Sequence, residues 1–351
     1  MLRSSTSLLA MLLAMTAPAL AADWGQEDYA PAFRDAYSIE PKDWTALGDG
    51  ADPLTFEWGL RYWYSMGSQT VSNYAGDFDA TDTSHSLEGH LRINDAFTNT
   101  YAKGVAGYAF SMSGDYDDPF GSGSILDGQL GYAGADLGYN LLSGQGAGFG
   151  PFAGYLYWNN SPRTTRGNFT TANSSADIGF DSGTGETFVP IDSVDNRIDV
   201  HALRLGVQGK ADFGMFDITA EAAVVPYAKV GGIIGADSVA TTYHLSGNIA
   251  SIKSSETTFD GWGYGAMGEA FVGFHPTENL SVRLGGRAWY LQGTADATYS
   301  VATIGEPTDS DPVNPPNYDT APSFSETHYI ETANPFSMLR YGLLGEITYR
   351  F

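Results

Sequence analysis

The final stretch of the chain, residues 338–351, constrains its fold more than any other. Leu339, Tyr341, Leu343, Gly345, Ile347, Tyr349 and Phe351 alternate with Met338, Arg340, Gly342, Leu344, Glu346, Thr348 and Arg350. A strand sends successive side chains to opposite faces, whereas a helix does not. One face here suits hydrocarbon and the other a polar interior. The same period of two recurs upstream. Phe56, Trp58, Leu60, Tyr62 and Tyr64 alternate with Glu57, Gly59, Arg61, Trp63 and Ser65. Phe216, Ile218, Ala220, Ala222 and Val224 alternate with Asp217, Thr219, Glu221 and Ala223, and Val282, Leu284, Gly286, Ala288 and Tyr290 with Ser281, Arg283, Gly285, Arg287 and Trp289. Strands with lipid on one side and a lumen on the other read this way.

Weaker strand candidates lie near 85–93, 101–111, 128–141, 149–158, 198–209 and 263–274. Ten residues at about 3.3 Å each, tilted by about 40°, rise roughly 25 Å, the height of the apolar band of a membrane barrel. Short connections fall near 94–99, 142–148, 210–214 and 275–279, and longer ones near 66–84, 112–127, 159–197, 229–262 and 291–335. Short periplasmic turns and long external loops give this rhythm. The expected fold is all-β, a closed antiparallel up-and-down transmembrane β-barrel of about ten strands. Closure is required because an open sheet edge leaves backbone groups unpaired in lipid. Twelve strands is the alternative, with the extra hairpin at 239–244 and 248–252.

Residues 1–21 read as a signal peptide, with Arg3 at the start, an apolar run from Leu8 to Met15, and Ala19-Leu20-Ala21 as a cleavage site. Residues 22–53 carry eight acidic side chains against Arg34 and Lys42 and lack the alternation. They are expected to form an acidic periplasmic N-terminal segment, and residues 54–351 the barrel. No later stretch approaches the roughly eighteen apolar residues that a spanning helix needs. The chain has no cysteine, which excludes disulfides, thiolate metal sites and a cysteine nucleophile.

The strand parity turns Glu57, Arg61, Glu88, His90, Arg92, Lys103, Asp136, Arg204, Asp217, Glu221, Glu269, Arg283, Arg287, Arg340 and Glu346 inward. Facing lipid at mid-depth, a Lys or Arg costs about 2–4 kcal/mol, which favours this assignment. Signs are nearly balanced, so these residues are expected to pair in a network that replaces an apolar core. The formal net charge of −24 therefore resides outside the wall. Residues 67–84 carry Asp77, Asp79 and Asp82, residues 112–126 carry Asp115, Asp117 and Asp118, and residues 291–335 carry seven more acids, all without Lys or Arg. Solvated loop charge is the plain reading; a Ca²⁺ or Mg²⁺ site at Asp115, Asp117 and Asp118 is the sharper one. Such acidity excludes nucleic acid as a partner, since phosphate binding needs clustered cations. The expected partners are outer-membrane lipid and lipopolysaccharide, and the barrel assembly machinery.

A terminal strand ending in Tyr349 and Phe351 resembles the assembly signal of bacterial outer-membrane barrels. The strand number, the loop rhythm, the run Gly114-Asp115-Tyr116-Asp117-Asp118 and the segment from Phe271 to Tyr290 also resemble the omptin family of outer-membrane proteases. That resemblance implies an Asp pair above the third strand, which Asp115 and Asp117 match, and an Asp-x-His pair after the seventh. There this chain departs from the family, because the loop after Lys229 offers Asp237 and, seven residues later, His244. A general base must sit within hydrogen-bond reach of the site it serves. A lipid hydrolase would need Ser86 beside His85, or His201, but adjacent strand residues face opposite sides. The expected function is a non-enzymatic outer-membrane barrel, either a surface or envelope-structural protein or a narrow, weakly cation-selective channel. An omptin-like protease is the alternative.

Overall fold

The computed structural model describes residues 54–351 apart from 74, 145, 165–166, 235–238 and 311–316. The expected signal peptide, the acidic segment 22–53 and Asp237 lie outside these residues. Ten long strands follow the alternation read from the sequence. They are β1 (Leu54–Asn73), β2 (Gly76–Asp95), β3 (Thr100–Asp118), β4 (Gly128–Tyr139) and β5 (Ala147–Pro162). The second half comprises β6 (Arg197–Phe213), β7 (Phe216–Ile234), β8 (Thr257–Phe274), β9 (Leu280–Ile304) and β10 (Phe324–Arg350). Each pairs antiparallel with its neighbours in sequence. β10 returns to β1 in the register Trp58↔Tyr349 and Arg61↔Glu346, which closes the ring. Phe351 completes the seam by exchanging backbone hydrogen bonds with Phe56 at 3.0 and 3.1 Å.

The ring has ten members and not twelve. Of the candidate extra hairpin, Ile249–Lys253 pairs with Val301 to Thr303 of β9, directly above the place where β8 ends. It prolongs the line of β8 and inserts no new strand into the wall.

The long external loops are shorter than the sequence implies, because much of their length is strand. Residues 66–73 and 76–84 continue β1 and β2 as paired strands, with Asn73 opposite Gly76. Phe78, Ala80 and Asp82 face inward there and are buried. β3 runs on to Asp118, and Gly121–Ile125 folds back to pair with it. β9 and β10 contain 25 and 27 residues, far more than the roughly 10 needed to cross a bilayer. Polar side chains on the outer face disguise these extensions as loops; their inward positions keep the period of two.

On the outside, the apolar members of each strand are exposed: Leu284 is 68% accessible, Leu137 70% and Leu343 64%. Two rings of aromatic side chains bound this belt. One, near the short turns, contains Trp58, Phe213, Phe216, Phe274 and Tyr349; the other contains Tyr64, Tyr155, Tyr227, Trp262 and Tyr264. Ten residues separate Tyr264 from Phe274 on one strand, a rise of about 25 Å at 3.3 Å per residue and the usual tilt. That is the geometry of a wall immersed in lipid.

Candidate functional site

The interior is stacked in layers, and the lowest is the charge network expected from parity. Arg61 projects from β1 and bonds Glu88 of β2 at 2.9 Å, Glu346 of β10, and Glu269 of β8 at 3.4 Å. Arg287 of β9 grips Glu88 at 2.6 and 3.1 Å and also meets Glu269. Arg283 bonds Glu57 and Glu346, each at 2.8 Å, with Asp217 at 3.4 Å. On the far wall Lys103 contacts Glu221 at 2.5 Å, and Arg204 bridges Asp136 at 3.2 Å and Glu221 at 2.9 Å. These five cations each meet at least two carboxylates, which is the condition for retaining buried charge, whereas Arg92 of the same inward face bonds the amide oxygens of Asn94 and Gln208 at 2.7 and 2.9 Å.

Above it lies a feature that corrects the sequence reading. The interior does contain an apolar core. Trp63, Tyr132, Trp158 and Trp289, from β1, β4, β5 and β9, meet at the barrel axis. Ring centroids are 4.9 Å apart for Trp63 and Trp289, 5.2 Å for Tyr132 and Trp289, and 5.5 Å for Trp158 and Trp289. All four are at most 5% exposed. The Arg287 guanidinium lies beneath, 4.9 Å from the Trp63 ring and 5.3 Å from that of Trp289, so cation–π contacts join the two layers. Room for the rings comes from glycine on the same inward face. A Cβ at Gly107 would overlap the ring of Tyr132, and one at Gly138 the ring of Tyr101.

A second polar layer follows. Arg340 hydrogen-bonds Asp82 at 2.7 and 2.9 Å, Asn160 at 2.9 Å, Ser84 at 3.0 Å and Ser65 at 3.1 Å. Further apolar residues, among them Val71, Phe78, Met112, Phe259, Phe336 and Met338, fill the rest. Below the aromatic layer a chamber of about 350 Å³ opens toward the short turns, lined by Arg92, Lys103, Lys210 and Arg350 among others. Where it meets Leu156, Met267 and Trp289 the free space falls to about 10 Å³, room for about one water molecule.

The residues singled out for catalysis or loop cation binding do not converge. Asp115 and Asp117 lie on the exposed face of β3, opposite to Met112 and Tyr116, which pack on the core. Asp115 accepts a hydrogen bond from Ser124 at 3.3 Å, and Asp117 stands across from Asp79. Asp118 accepts the backbone N–H groups of Phe120 and Gly121, both at 2.8 Å, as a turn residue. His244 places Nε2 2.8 Å from the carbonyl of Ile304, and among the described residues no carboxylate lies within 4 Å of it. His85 and His201 face outward, each bonded to a tyrosine hydroxyl, Tyr62 and Tyr155. Among the described residues two groups do bring three possible ligand atoms within 4.8 Å of one another: Glu57, His90 and Glu346, and Asp212, Asp217 and His275. The second was missed at the sequence level, because its members are separated along the chain and gathered only by strand register.

The sequence matches no family model and no curated protein. Among solved structures the barrel is similar to the outer membrane protease OmpT from Escherichia coli, with a TM-score of 0.51 and 11% identity, covering 86% of this chain and 97% of that one. The toluene transporter TodX from P. putida aligns with a TM-score of 0.30 and 9% identity over 86% and 91% of the two chains. The translocator domain of autotransporter NalP from Neisseria meningitidis aligns with a TM-score of 0.33 and 8% identity over 87% and 91%. The likeness to OmpT is one of fold: this chain has the architecture of an outer-membrane β-barrel.

Proposed function

We propose that this protein is a non-enzymatic barrel of the bacterial outer membrane, with a closed lumen and a surface or envelope-structural role. The observation that carries this reading is the filled interior. Among the described residues the aromatic layer of Trp63, Tyr132, Trp158 and Trp289 and the Arg340 layer above it fill the interior, and the free space of the lower chamber narrows to about 10 Å³ beside Trp289. Ten strands stand just above the eight whose interior side chains fill, and far below the sixteen or more of an open aqueous channel. The apolar belt between two aromatic girdles supports the placement in a membrane, with lipid and lipopolysaccharide as surroundings. The exposed Tyr349 and Phe351 at the β1–β10 seam are suited to recognition by the assembly machinery.

The narrow-channel reading draws support only from the acidic outer surface. The protease reading draws none from the placement of Asp115, Asp117 and His244. Planar-bilayer recording of the refolded barrel, after a heat-shifted gel band has confirmed folding, tests the proposal. A silent bilayer is the expected result; reproducible conductance steps would overturn it. Incubation with a dibasic peptide should likewise give no cleavage, and cleavage lost in Asp115→Ala would restore the enzyme.

A further inference from the structure

We propose that Asp212, Asp217 and His275 form a binding site for a divalent cation of zinc type at the short-turn end of the barrel. Asp212 closes β6, Asp217 opens β7, and His275 sits in the turn after β8. Asp212 and Asp217 are cross-strand partners. One ligand atom from each of the three residues lies within 4.8 Å of the others.

The hydrogen-bonding pattern points to a missing partner. Asp217 is completely buried, yet neither of its carboxylate oxygens makes a hydrogen bond. A buried carboxylate left in that state is costly. His275 Nε2 approaches Asp217 Oδ1 at 3.0 Å without the alignment of a hydrogen bond. The other ring nitrogen, Nδ1, is 2.8 Å from Ser281 Oγ. An outer partner on one nitrogen is how a metal-binding imidazole is held with the other nitrogen free to ligate. Arg283 Nε, 3.4 Å from Asp217, makes no hydrogen bond either.

With zinc–ligand bonds of about 2.0–2.1 Å, tetrahedral ligand atoms stand roughly 3.3 Å apart. The Asp217–His275 pair already has nearly that spacing. Asp212 is exposed and can turn from Lys210, 2.9 Å away, without disturbing the wall. One imidazole nitrogen and two carboxylate oxygens leave a fourth position for water. They favour Zn²⁺ over Ca²⁺ or Mg²⁺, which prefer sets made of oxygen alone. The other cluster, Glu57, His90 and Glu346, lacks this capacity, because Arg61, Arg283 and Arg350 already hydrogen-bond all four of its carboxylate oxygens, whereas the Arg283 guanidinium near Asp217 leaves both of that carboxylate's oxygens without a hydrogen bond.

The test uses the full-length refolded barrel, stripped with chelator and titrated with zinc chloride against a chromophoric competitor. One equivalent should bind, and a hundredfold excess of Ca²⁺ should not displace it. His275→Ala and Asp212→Asn should each weaken binding by at least about tenfold, the scale on which even outer-shell partners act. Both variants should keep the heat-shifted band, since neither residue belongs to the core. Zinc should raise the unfolding temperature of the native protein and leave that of His275→Ala unchanged. Absence of the equivalent, displacement by Ca²⁺, or equal binding by both variants would overturn the site.

Discussion

Arg340 of β10 holds Asp82 of β2 by two hydrogen bonds, at 2.7 and 2.9 Å, although β1 runs between their strands. Gly67 on β1 makes this possible: a Cβ there would lie on both the guanidinium and the carboxylate. The side chains are 1% and 3% exposed. Removing one member of such a buried pair strands the other, so Asp82→Ala should destabilise the barrel by about 3–5 kcal/mol. Adding Arg340→Met should recover a large part of that loss. Urea unfolding of the single and double variants measures both, and a single-variant loss below about 1 kcal/mol would contradict the pairing.

Gly107 carries a second prediction. Tyr132 stands over it while packing edge-on against Trp63, at 5.5 Å and 83°. A methyl group must push the ring against three other buried aromatic side chains. Gly107→Ala should cost about 1–3 kcal/mol. Gly89→Ala is the control, because nothing lies within 4 Å of its Cβ position. Equal stabilities for the two variants would argue against a tightly packed aromatic layer.

The outward belt predicts a depth-dependent penalty. Leu284 is 68% exposed and lies between the girdles, where Arg in place of Leu should cost about 2–4 kcal/mol in a bilayer. An ordinary solvated position would tolerate the change within about 0.5 kcal/mol. Unfolding titrations in lipid vesicles distinguish the two, and the smaller value would remove Leu284 from the lipid-facing wall.

Asp181 gives a prediction about pH. Its carboxylate accepts the backbone N–H groups of Thr184 and Gly183, each at 2.8 Å, and the Thr184 hydroxyl at 3.1 Å. The Thr184 and then the Gly183 amide, followed by that hydroxyl, hold its carboxyl below the ordinary value of 3.8. Because the folded value is the lower one, the turn gains from ionisation above about pH 4 and loses that support as pH falls through the folded value. An NMR titration of the Asp181 carboxyl should have its midpoint below 3.8; a midpoint at or above 3.8 would show that these hydrogen bonds are not made in solution.

The strands, their facing and the inward charges were legible from alternation, because lipid enforces a period of two on every crossing. Asp82 shows what was not. Among Asp77 and Asp79 it reads as loop acidity, although Phe78, Ala80 and Asp82 already mark a buried face. Once a wall rises out of lipid its outer face turns polar, and the contrast that reveals a strand fades. Trp63 and Trp289 were assigned inward, but their meeting with Trp158 and Tyr132 depends on the stagger between strands. That stagger is set by pairings such as Tyr132↔Trp158 and by the register shift between Val225 and Ala228. For the same reason Asp212, Asp217 and His275 carry no spacing signal. Proximity across a barrel belongs to register, and no single strand records it.

The contribution of β10 to the interior has a consequence for the order of events during biogenesis. Arg340 and Glu346 come from β10, which follows the other nine strands in chain order, yet their partners Asp82, Asn160, Arg61 and Arg283 sit on β2, β5, β1 and β9. The other nine strands can pair edge to edge, but both polar layers stay incomplete until β10 docks. Sealing the wall and completing its polar filling are therefore one act.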